Sequence, residues 1–137
     1  MLPLGHNWLV GKVVWCKVGA DPLDAGAMLA SVKDERLGGV VLFSGEVRSV
    51  TGEIETSQLF YEAYEEMAVS QMHLIADEAA NRWDARVAVA HRVGDLLPGE
   101  TAVITIAACA HRAEAFECCK FLIDRIKEDV PIWKKEV

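Results

Sequence analysis

Apolar residues recur every three to four positions in three parts of the chain, which is the spacing of one face of an α-helix. The pattern predicts helices over residues 23–32, 65–83 and 111–128. Asp21 and Pro22 supply a start signal for the first helix, and Pro131 follows the end of the last. The side chains expected to face the core are Met67, Ile75 and Ala79 in the second helix, and Ala115, Phe116, Cys119, Leu122, Ile123 and Ile126 in the third.

Short runs rich in valine, isoleucine and aromatic residues indicate strands. They span residues 8–18, 40–43, 59–64, 86–93 and 101–108. The polar segment 49–57 contains Gly52 and predicts a loop or hairpin tip. Because a turn with Pro98 and Gly99 separates the last two strands, we expect them to pair. Strands and helices interleave without a linker or repeat, so residues 1–137 are predicted to form one α+β domain.

Composition indicates a globular domain with its own core and argues against two classes of partner. Of the 137 residues, 52% are hydrophobic and 26% are charged, which suffices for a packed interior. The net charge of −7 and the lack of a basic stripe argue against nucleic acid. No run approaches the roughly 18 to 20 apolar residues of a membrane span, and residues 1–14 lack the pattern of a secretory signal. We therefore expect a soluble, cytoplasmic protein.

The four cysteines predict neither a metal site nor a disulfide. They are Cys16, Cys109, Cys118 and Cys119. They form no Cys-x-x-Cys pair, and no histidine stands at a zinc-like interval from them. Cys118 and Cys119 are adjacent on a predicted helix, where a disulfide between them would be strained. Buried free thiols without a bound metal are therefore expected.

Two cations stand at the predicted start of the last helix, where unpaired backbone N–H groups already carry partial positive charge. His111 and Arg112 add charge of the same sign, and an anionic ligand would resolve the conflict. Projected at about 100° per residue, Arg112 falls near the middle of the apolar face, where a charge needs a partner. Lys127 falls on the border of that face, a position that suits an ordinary snorkelling lysine as well as a functional one.

Common catalytic motifs are absent from the sequence, which contains no Gly-x-Ser-x-Gly elbow, Walker loop or Gly-x-Gly-x-x-Gly turn. What remains is a set of basic residues: Arg48, His111, Arg112, Lys127, Lys134 and Lys135. Arginine suits phosphate, and a lysine in a partly apolar pocket serves as an acid, base or nucleophile. The mixture favours an enzyme acting on a phosphorylated compound. His91 and Arg92 fit the alternation of their strand and are interpreted as structural.

Four blocks of the sequence resemble the large, catalytic subunit of molybdopterin synthase. They are Phe43–Arg48, Tyr61–Ala68, His91–Gly94 followed by Pro98–Glu100, and Ala110–Phe116 together with the ending Lys127–Glu136. Their order and spacing make the resemblance specific, and it covers nearly the whole chain.

The resemblance implies an α/β hammerhead fold with a small additional antiparallel β subdomain. It also implies a homodimer of large subunits with a small ubiquitin-like sulfur-carrier subunit at each end, which makes a heterotetramer. The implied reaction transfers sulfur from the thiocarboxylated C-terminus of the carrier to cyclic pyranopterin monophosphate, and two rounds form the dithiolene of molybdopterin. No cofactor or metal is implied beyond this substrate and product.

The resemblance further implies roles for residues at the matching positions. Lys127 and Lys134 would be catalytic, the first beside the carrier's C-terminus and the second holding the pterin or developing negative charge. Arg48, His111 and Arg112 would bind the phosphate of the substrate. The whole substrate-binding set comprises Glu46, Val47, Arg48, His111, Arg112, Lys127, Lys134, Lys135 and Glu136.

The length of the last helix separates two members of this set. Arg112 and Lys127 lie about 22 Å apart along an unbroken helix at ~1.5 Å per residue. One compact pocket does not easily hold both, so we hypothesise a composite site in which His111 and Arg112 of one subunit complete the pocket of the other. Two alternatives stay open. One is a non-enzymatic module that binds a ubiquitin-like protein or a phosphorylated metabolite, and the other is a structural dimer whose basic residues are surface charge.

Overall fold

A computed structural model describes residues 9–136 of the chain. The helices in this range are α1 Ala25–Val32, α2 Glu65–Trp83 and α3 Arg112–Asp129. The strands are β1 Lys12–Gly19, β2 Gly39–Glu46, β3 Val50–Thr51, β4 Ile54–Glu55, β5 Leu59–Ala63, β6 Arg86–Arg92, β7 Gly94–Leu96, β8 Thr101–Cys109 and β9 Ile132–Glu136. The three predicted helices are thus confirmed, with α1 starting slightly late after its N-cap Asp24. None of the described helices is long and apolar enough to cross a membrane.

The larger sheet has the strand order β1-β6-β8-β2. β1 runs parallel to β6, whereas β6 pairs antiparallel with β8, and β8 pairs antiparallel with β2. The pairing predicted between residues 86–93 and 101–108 is therefore confirmed. β1 and β2 form the two edges, so one side of β2 has no neighbouring strand in the described part of the chain.

Both faces of the larger sheet are covered by helices, which explains why its central strands are apolar at almost every position. Val87 and Val89 of β6 pack in the layer formed with α2 and α3, while Ala88 and Ala90 pack in the layer formed with α1. Leu122 of α3 is fully buried in the first layer. Burial of these apolar side chains is the main force that holds the helices on the sheet.

A smaller antiparallel sheet has the order β7-β5-β9 and lies where α3 ends. β5 occupies its centre and pairs with β7 on one side and with β9 on the other. A separate hairpin of β3 and β4 forms the tip predicted over residues 49–57. The architecture is the predicted α+β fold with a small additional antiparallel β unit.

Two features depart from the sequence pattern. The pattern does not predict β7 and β9, which become strands because β5 offers backbone hydrogen-bond partners on both of its sides. Met67 and Phe116, expected in the core, are instead 54% and 62% exposed. The buried residues of α3 are Ala115, Cys118, Cys119, Leu122, Ile123 and Ile126. This stripe is rotated about the helix axis relative to the predicted one, so that it includes Cys118 and leaves Phe116 outside it.

Asp84 ends α2 in the left-handed conformation, with φ at 47°. Its Oδ1 atom accepts hydrogen bonds from the backbone N–H groups of Val10 at 2.7 Å and Gly11 at 2.6 Å. These two bonds hold the segment that precedes β1 against the end of α2.

Candidate active site

A cavity of about 330 Å³ opens between the end of β2, the last turns of α3 and the smaller sheet. It is lined by Gly45, Glu46, Arg48, Leu59, Tyr61, His91, Ala102, Val103, Ile123, Ile126, Lys127, Val130, Ile132 and Lys134. Most of the aliphatic side chains in this lining are buried, whereas Glu46, Arg48, Lys127 and Lys134 are exposed. The cavity therefore combines an apolar wall with charged groups that solvent reaches, and its volume is typical of a site for a small molecule.

Arg48 is positioned because the chain that leaves β2 is anchored to the turn between β7 and β8. The backbone N–H of Val47 donates to the carbonyl of Glu100 at 2.9 Å, and the N–H of Gly99 donates to the carbonyl of Val47 at 2.8 Å. Val47 is only 4% exposed and packs in a small cluster with Leu59. Val47 thus lies behind the lining of the cavity and supports the position of Arg48.

Glu46 is the last residue of β2, and hydroxyl groups bind both of its carboxylate oxygens. The Ser44 hydroxyl donates to Oε1, and the Thr101 hydroxyl donates to Oε2 at 2.7 Å. The two hydroxyl groups hold the carboxylate in one orientation. Glu46 therefore contributes a fixed acceptor, with no ion pair to any side chain that the structure describes.

Three cations reach the cavity from separate elements. Lys127 lies in the last turn of α3, at the border of its buried stripe, as the helical projection predicts. Lys134 lies on β9 directly opposite Tyr61 of β5, and Arg48 follows β2. Within residues 9–136, no ion pair or hydrogen bond engages the side chain of any of the three. Unneutralised cations around one cavity of an acidic chain indicate an anionic ligand.

Adjacent lysines of β9 differ in the side of the sheet that they occupy. Side chains alternate along a strand, so Ile132 and Lys134 line the cavity while Trp133 and Lys135 lie on the opposite face. Lys135 is therefore separated from the site that its neighbour enters. The backbone of Glu136 continues the pairing with β5, and its side chain lies outside the description.

His111 and Arg112 lie at the other end of α3. His111 is the N-cap, its side chain makes no capping hydrogen bond, and both residues are exposed. A Cβ atom added to Gly39 would lie 3.0 Å from the Cα of Arg112, which places the pair beside the start of β2. By helical projection Arg112 lies at the angle of the buried stripe, as predicted, but it is exposed because burial along α3 begins only at Ala115, one turn later. The unbroken helix keeps both residues away from the Lys127 cavity of their own chain.

His91 joins the cavity, although its strand pattern suggested a structural role. It is 8% exposed, its Nδ1 atom lies 2.6 Å from the carbonyl oxygen of Arg92, and its ring meets the Tyr61 ring edge-on at 5.0 Å. Burial lowers the pKa of His91, and the charge of Lys127 adds to that effect while the bond to Arg92 opposes it. One feature of the sequence pointed to this role. Val87, Val89 and His91 occupy alternate positions of the strand, so His91 places a polar side chain in an otherwise apolar row, at the end of the strand.

The four cysteines are free thiols, and none of them is fully exposed. Cys109, Cys118 and Cys119 are buried, and Cys16 is partly buried. Burial raises the pKa of Cys16 to about 11, with a further contribution from Asp77. A thiol with such a pKa is protonated at neutral pH and is a poor nucleophile. No group of three or more metal-ligating side chains occurs among the described residues.

Known proteins are similar to this chain in both sequence and fold. The family model described as MoaE protein matches residues 18–129. Molybdopterin synthase catalytic subunit 1 of Mycobacterium tuberculosis is 39% identical over 127 residues, which cover 92% of this chain and 86% of that protein. The molybdopterin synthase catalytic subunit of Bacillus subtilis is 39% identical over 117 residues, which cover 85% of this chain and 74% of that protein.

Solved structures carry the same architecture. Molybdopterin synthase from Staphylococcus aureus superposes with a TM-score of 0.86 at 35% identity, covering 89% of this chain and 90% of that chain. Molybdopterin cofactor biosynthesis protein E from Burkholderia multivorans gives a TM-score of 0.82 at 35% identity, covering 92% and 84% of the two chains. The fold expected from the resemblance is thereby confirmed. The chain belongs to the MoaE family of molybdopterin synthase catalytic subunits.

Proposed function

We propose that this protein is the catalytic subunit of a molybdopterin synthase. It transfers sulfur from the thiocarboxylated C-terminus of a small ubiquitin-like carrier to cyclic pyranopterin monophosphate and so forms the dithiolene of molybdopterin. The observation that carries this proposal is the cavity of about 330 Å³ around which Arg48, Lys127 and Lys134 stand without neutralising partners. Both reactants are anions, one a thiocarboxylate and the other a phosphate ester, and this cavity attracts anions.

The chemistry of the three cations suggests one role for the arginine and another for the two lysines. The planar guanidinium of Arg48 suits the phosphate of the substrate, which accepts two parallel hydrogen bonds. Lys127 and Lys134 are compact positive charges that stabilise negative charge developing as the carrier's acyl group is attacked and its C–S bond breaks. The buried aliphatic wall formed by Ile123 and Ile126 strengthens these interactions by keeping part of the cavity free of water. No resident cofactor or metal enters this scheme.

The proposal includes the carrier as a partner. The cavity is open to solvent where its charged side chains lie, and an extended C-terminal tail entering there would bring its terminal sulfur to Lys127 and Lys134. A chain of the same fold, 23% identical, comes from a solved protein–protein complex of subunits 1 and 2 of the molybdopterin-converting factor of Helicobacter pylori. We further place the protein in the cytoplasm, where its four free cysteines would stay reduced.

The proposal also includes a dimer that completes the site. β2 is an edge strand whose Val40, Leu42 and Phe43 are each more than one third exposed. Two copies of this edge paired about a twofold axis run antiparallel. The start of one β2, beside Arg112, then lies next to the end of the other β2, where Glu46 lines the cavity. Such pairing would add His111 and Arg112 of one subunit to the Arg48 site of its partner.

The activity is tested by mixing the protein with thiocarboxylated carrier and cyclic pyranopterin monophosphate and measuring dithiolene formation. We expect product from the wild type and a large loss in Lys127→Ala. Lys120→Ala is the matched control, because Lys120 is exposed on the same helix and pairs with Asp124 at 2.6 Å. A wild type that binds the carrier without forming product would favour the non-enzymatic binding module. Equal losses in the two variants would contradict the role given to Lys127.

The composite site is tested by mixing subunits that carry different substitutions. Arg112→Ala and Lys127→Ala homodimers should each be inactive. A heterodimer of the two contains one site with both residues intact, so an equilibrated mixture should recover about a quarter of wild-type activity. No recovery, with heterodimers verified by mass spectrometry, would mean that activity requires both residues in the same subunit and would overturn the shared site.

A further inference from the structure

The hydrogen bond of His91 determines which ring nitrogen carries the proton. Nδ1 lies 2.6 Å from the carbonyl oxygen of Arg92, and a carbonyl oxygen only accepts hydrogen bonds, so Nδ1 carries the proton. In the neutral ring Nε2 then holds a lone pair. No described residue bonds to Nε2, and the side chain lines the cavity. The Tyr61 ring, 5.0 Å away, limits rotation of the imidazole and keeps this lone pair in place.

The groups that face His91 from neighbouring elements are mostly hydrogen-bond donors. They are Glu46 on β2, Arg48 after β2, Tyr61 on β5, Lys127 on α3 and Lys134 on β9. Arginine and lysine only donate, and burial raises the pKa of the Tyr61 phenol, which keeps it protonated. The carboxylate of Glu46 already accepts bonds from Ser44 and Thr101. Among the side chains of this lining that the structure describes, Nε2 of His91 is thus the neutral nitrogen base whose lone pair no other residue engages.

The proposed reaction needs such an acceptor. A dithiolene contains a carbon–carbon double bond between two sulfur-bearing carbons. Forming that bond from a saturated sulfur-bearing carbon requires the carbon to lose a proton while an oxygen leaves the neighbouring carbon. The cations of the cavity stabilise negative charge or donate protons, and a separate base must remove the proton.

Building on the proposed function, we infer that His91 is a further catalytic residue, whose Nε2 takes this proton. The C–H bond of the substrate breaks, its electron pair forms the carbon–carbon double bond, and the proton bonds to Nε2. The bond between the neighbouring carbon and its hydroxyl oxygen breaks, the electron pair of that bond stays with the oxygen, and the hydroxyl group leaves as water after taking one proton from Lys127. The imidazolium of His91 then returns its proton to Lys127, so one water is lost and both side chains are restored.

Burial and the nearby charges suit His91 to this task. Burial lowers the pKa of His91 below its usual value of 6.5, with Lys127 contributing in the same direction, so the ring is neutral at pH 7. Turnover that depends on neutral His91 should rise with pH through that lowered pKa and level off above it. The acidic limb of the pH profile is therefore a signature of His91 that a purely structural side chain would not produce.

The variant His91→Asn distinguishes the role of Nε2 from that of Nδ1. Its side-chain amide keeps an N–H donor near the position of Nδ1, so the bond to the Arg92 carbonyl can persist, and it lacks a counterpart of Nε2. We expect turnover to fall about 10²- to 10⁴-fold, the usual range for lost acid–base catalysis. The acidic limb should disappear, while the melting temperature and carrier affinity stay near wild type. Should His91→Asn fold poorly, His91→Gln serves as the second variant.

A third variant provides a rescue test. His91→Ala leaves a space beside the cavity, and added imidazole should restore part of the turnover with the pH dependence of the added base. Nitrogen NMR of labelled histidine reads the tautomer without substrate, and a proton found on Nε2 would overturn the inference. An active wild type with an unimpaired His91→Asn would overturn the inference alone. An inactive wild type would overturn the proposed function and this role with it.

Discussion

Substituting Lys134 and Lys135 separately is the sharpest test of the site, because the two lysines are neighbours in sequence and lie on opposite faces of β9. Lys134 lines the cavity, whereas Lys135 does not. Both side chains are exposed, so the variants Lys134→Ala and Lys135→Ala remove the same charge from the same strand. We expect Lys134→Ala to slow sulfur transfer and Lys135→Ala to change it less than about twofold.

The size of the expected loss follows from Coulomb's law. Two unit charges 4 Å apart interact by about 1 kcal/mol in bulk water and about 4 kcal/mol at an effective dielectric constant of 20. Lys134 is reached by solvent but lies beside buried aliphatic groups, so its interaction with developing negative charge falls between these limits. Since about 1.36 kcal/mol corresponds to a factor of ten in rate, Lys134→Ala should be about 5- to 900-fold slower.

Single-turnover measurement of dithiolene formation at saturating carrier is the suitable assay. It separates the chemical step from product release, and thermal unfolding of both variants checks that neither has lost stability. Equal slowing by Lys134→Ala and Lys135→Ala would mean that the slower reaction results from loss of positive charge anywhere on β9, and not from loss of a charge inside the cavity. A wild-type rate in Lys134→Ala would refute the assignment of Lys134 to the site.

Three further predictions concern stability and its pH dependence. Leu122→Ala should lower the free energy of unfolding by about 2 to 5 kcal/mol in urea titration, because Leu122 is fully buried, whereas exposed Met67→Ala should change it by less than about 0.5 kcal/mol. Asp84→Ala should cost about 2 kcal/mol through loss of two backbone hydrogen bonds, and Asp84→Asn, which keeps an acceptor oxygen, should cost less. Burial lowers the pKa of His91 in the folded protein, so on acidification this side chain takes up a proton in the unfolded chain at a higher pH than in the folded one. The free energy of unfolding should therefore fall as the pH drops through 6.5 towards the lowered pKa, and it should fall less steeply in His91→Asn.

Local sequence signals were sufficient for the helices. α2 occupies the predicted residues 65–83, because apolar spacing, acidic residues in the first turn and the absence of proline are all properties of a short stretch of chain. The buried face was predicted less well at Met67 and Phe116. Which side of a helix meets the sheet depends on where the sheet ends, and the helical pattern does not contain that information.

Local sequence signals did not predict all strands of the smaller sheet. β9 contains two lysines and a glutamate in its five residues, and it becomes a strand because β5, far away in sequence, pairs with it. This pairing decides that Lys134 enters the cavity and that Lys135 does not. The family resemblance assigns both lysines to substrate binding, and only strand alternation shows that Lys134 alone of the two lines the cavity.

The sequence by itself determined the helices, the paired central strands, the resemblance to a family and the set of cations that a phosphorylated substrate would need. The tertiary structure decided which of those cations share a cavity. It brought Arg48, Lys127 and Lys134 together, left His111 and Arg112 at the far end of α3, and added His91 to the lining. The physical reason is range: helical spacing and charge are local properties, whereas a cavity is made by elements that meet only after the chain has folded.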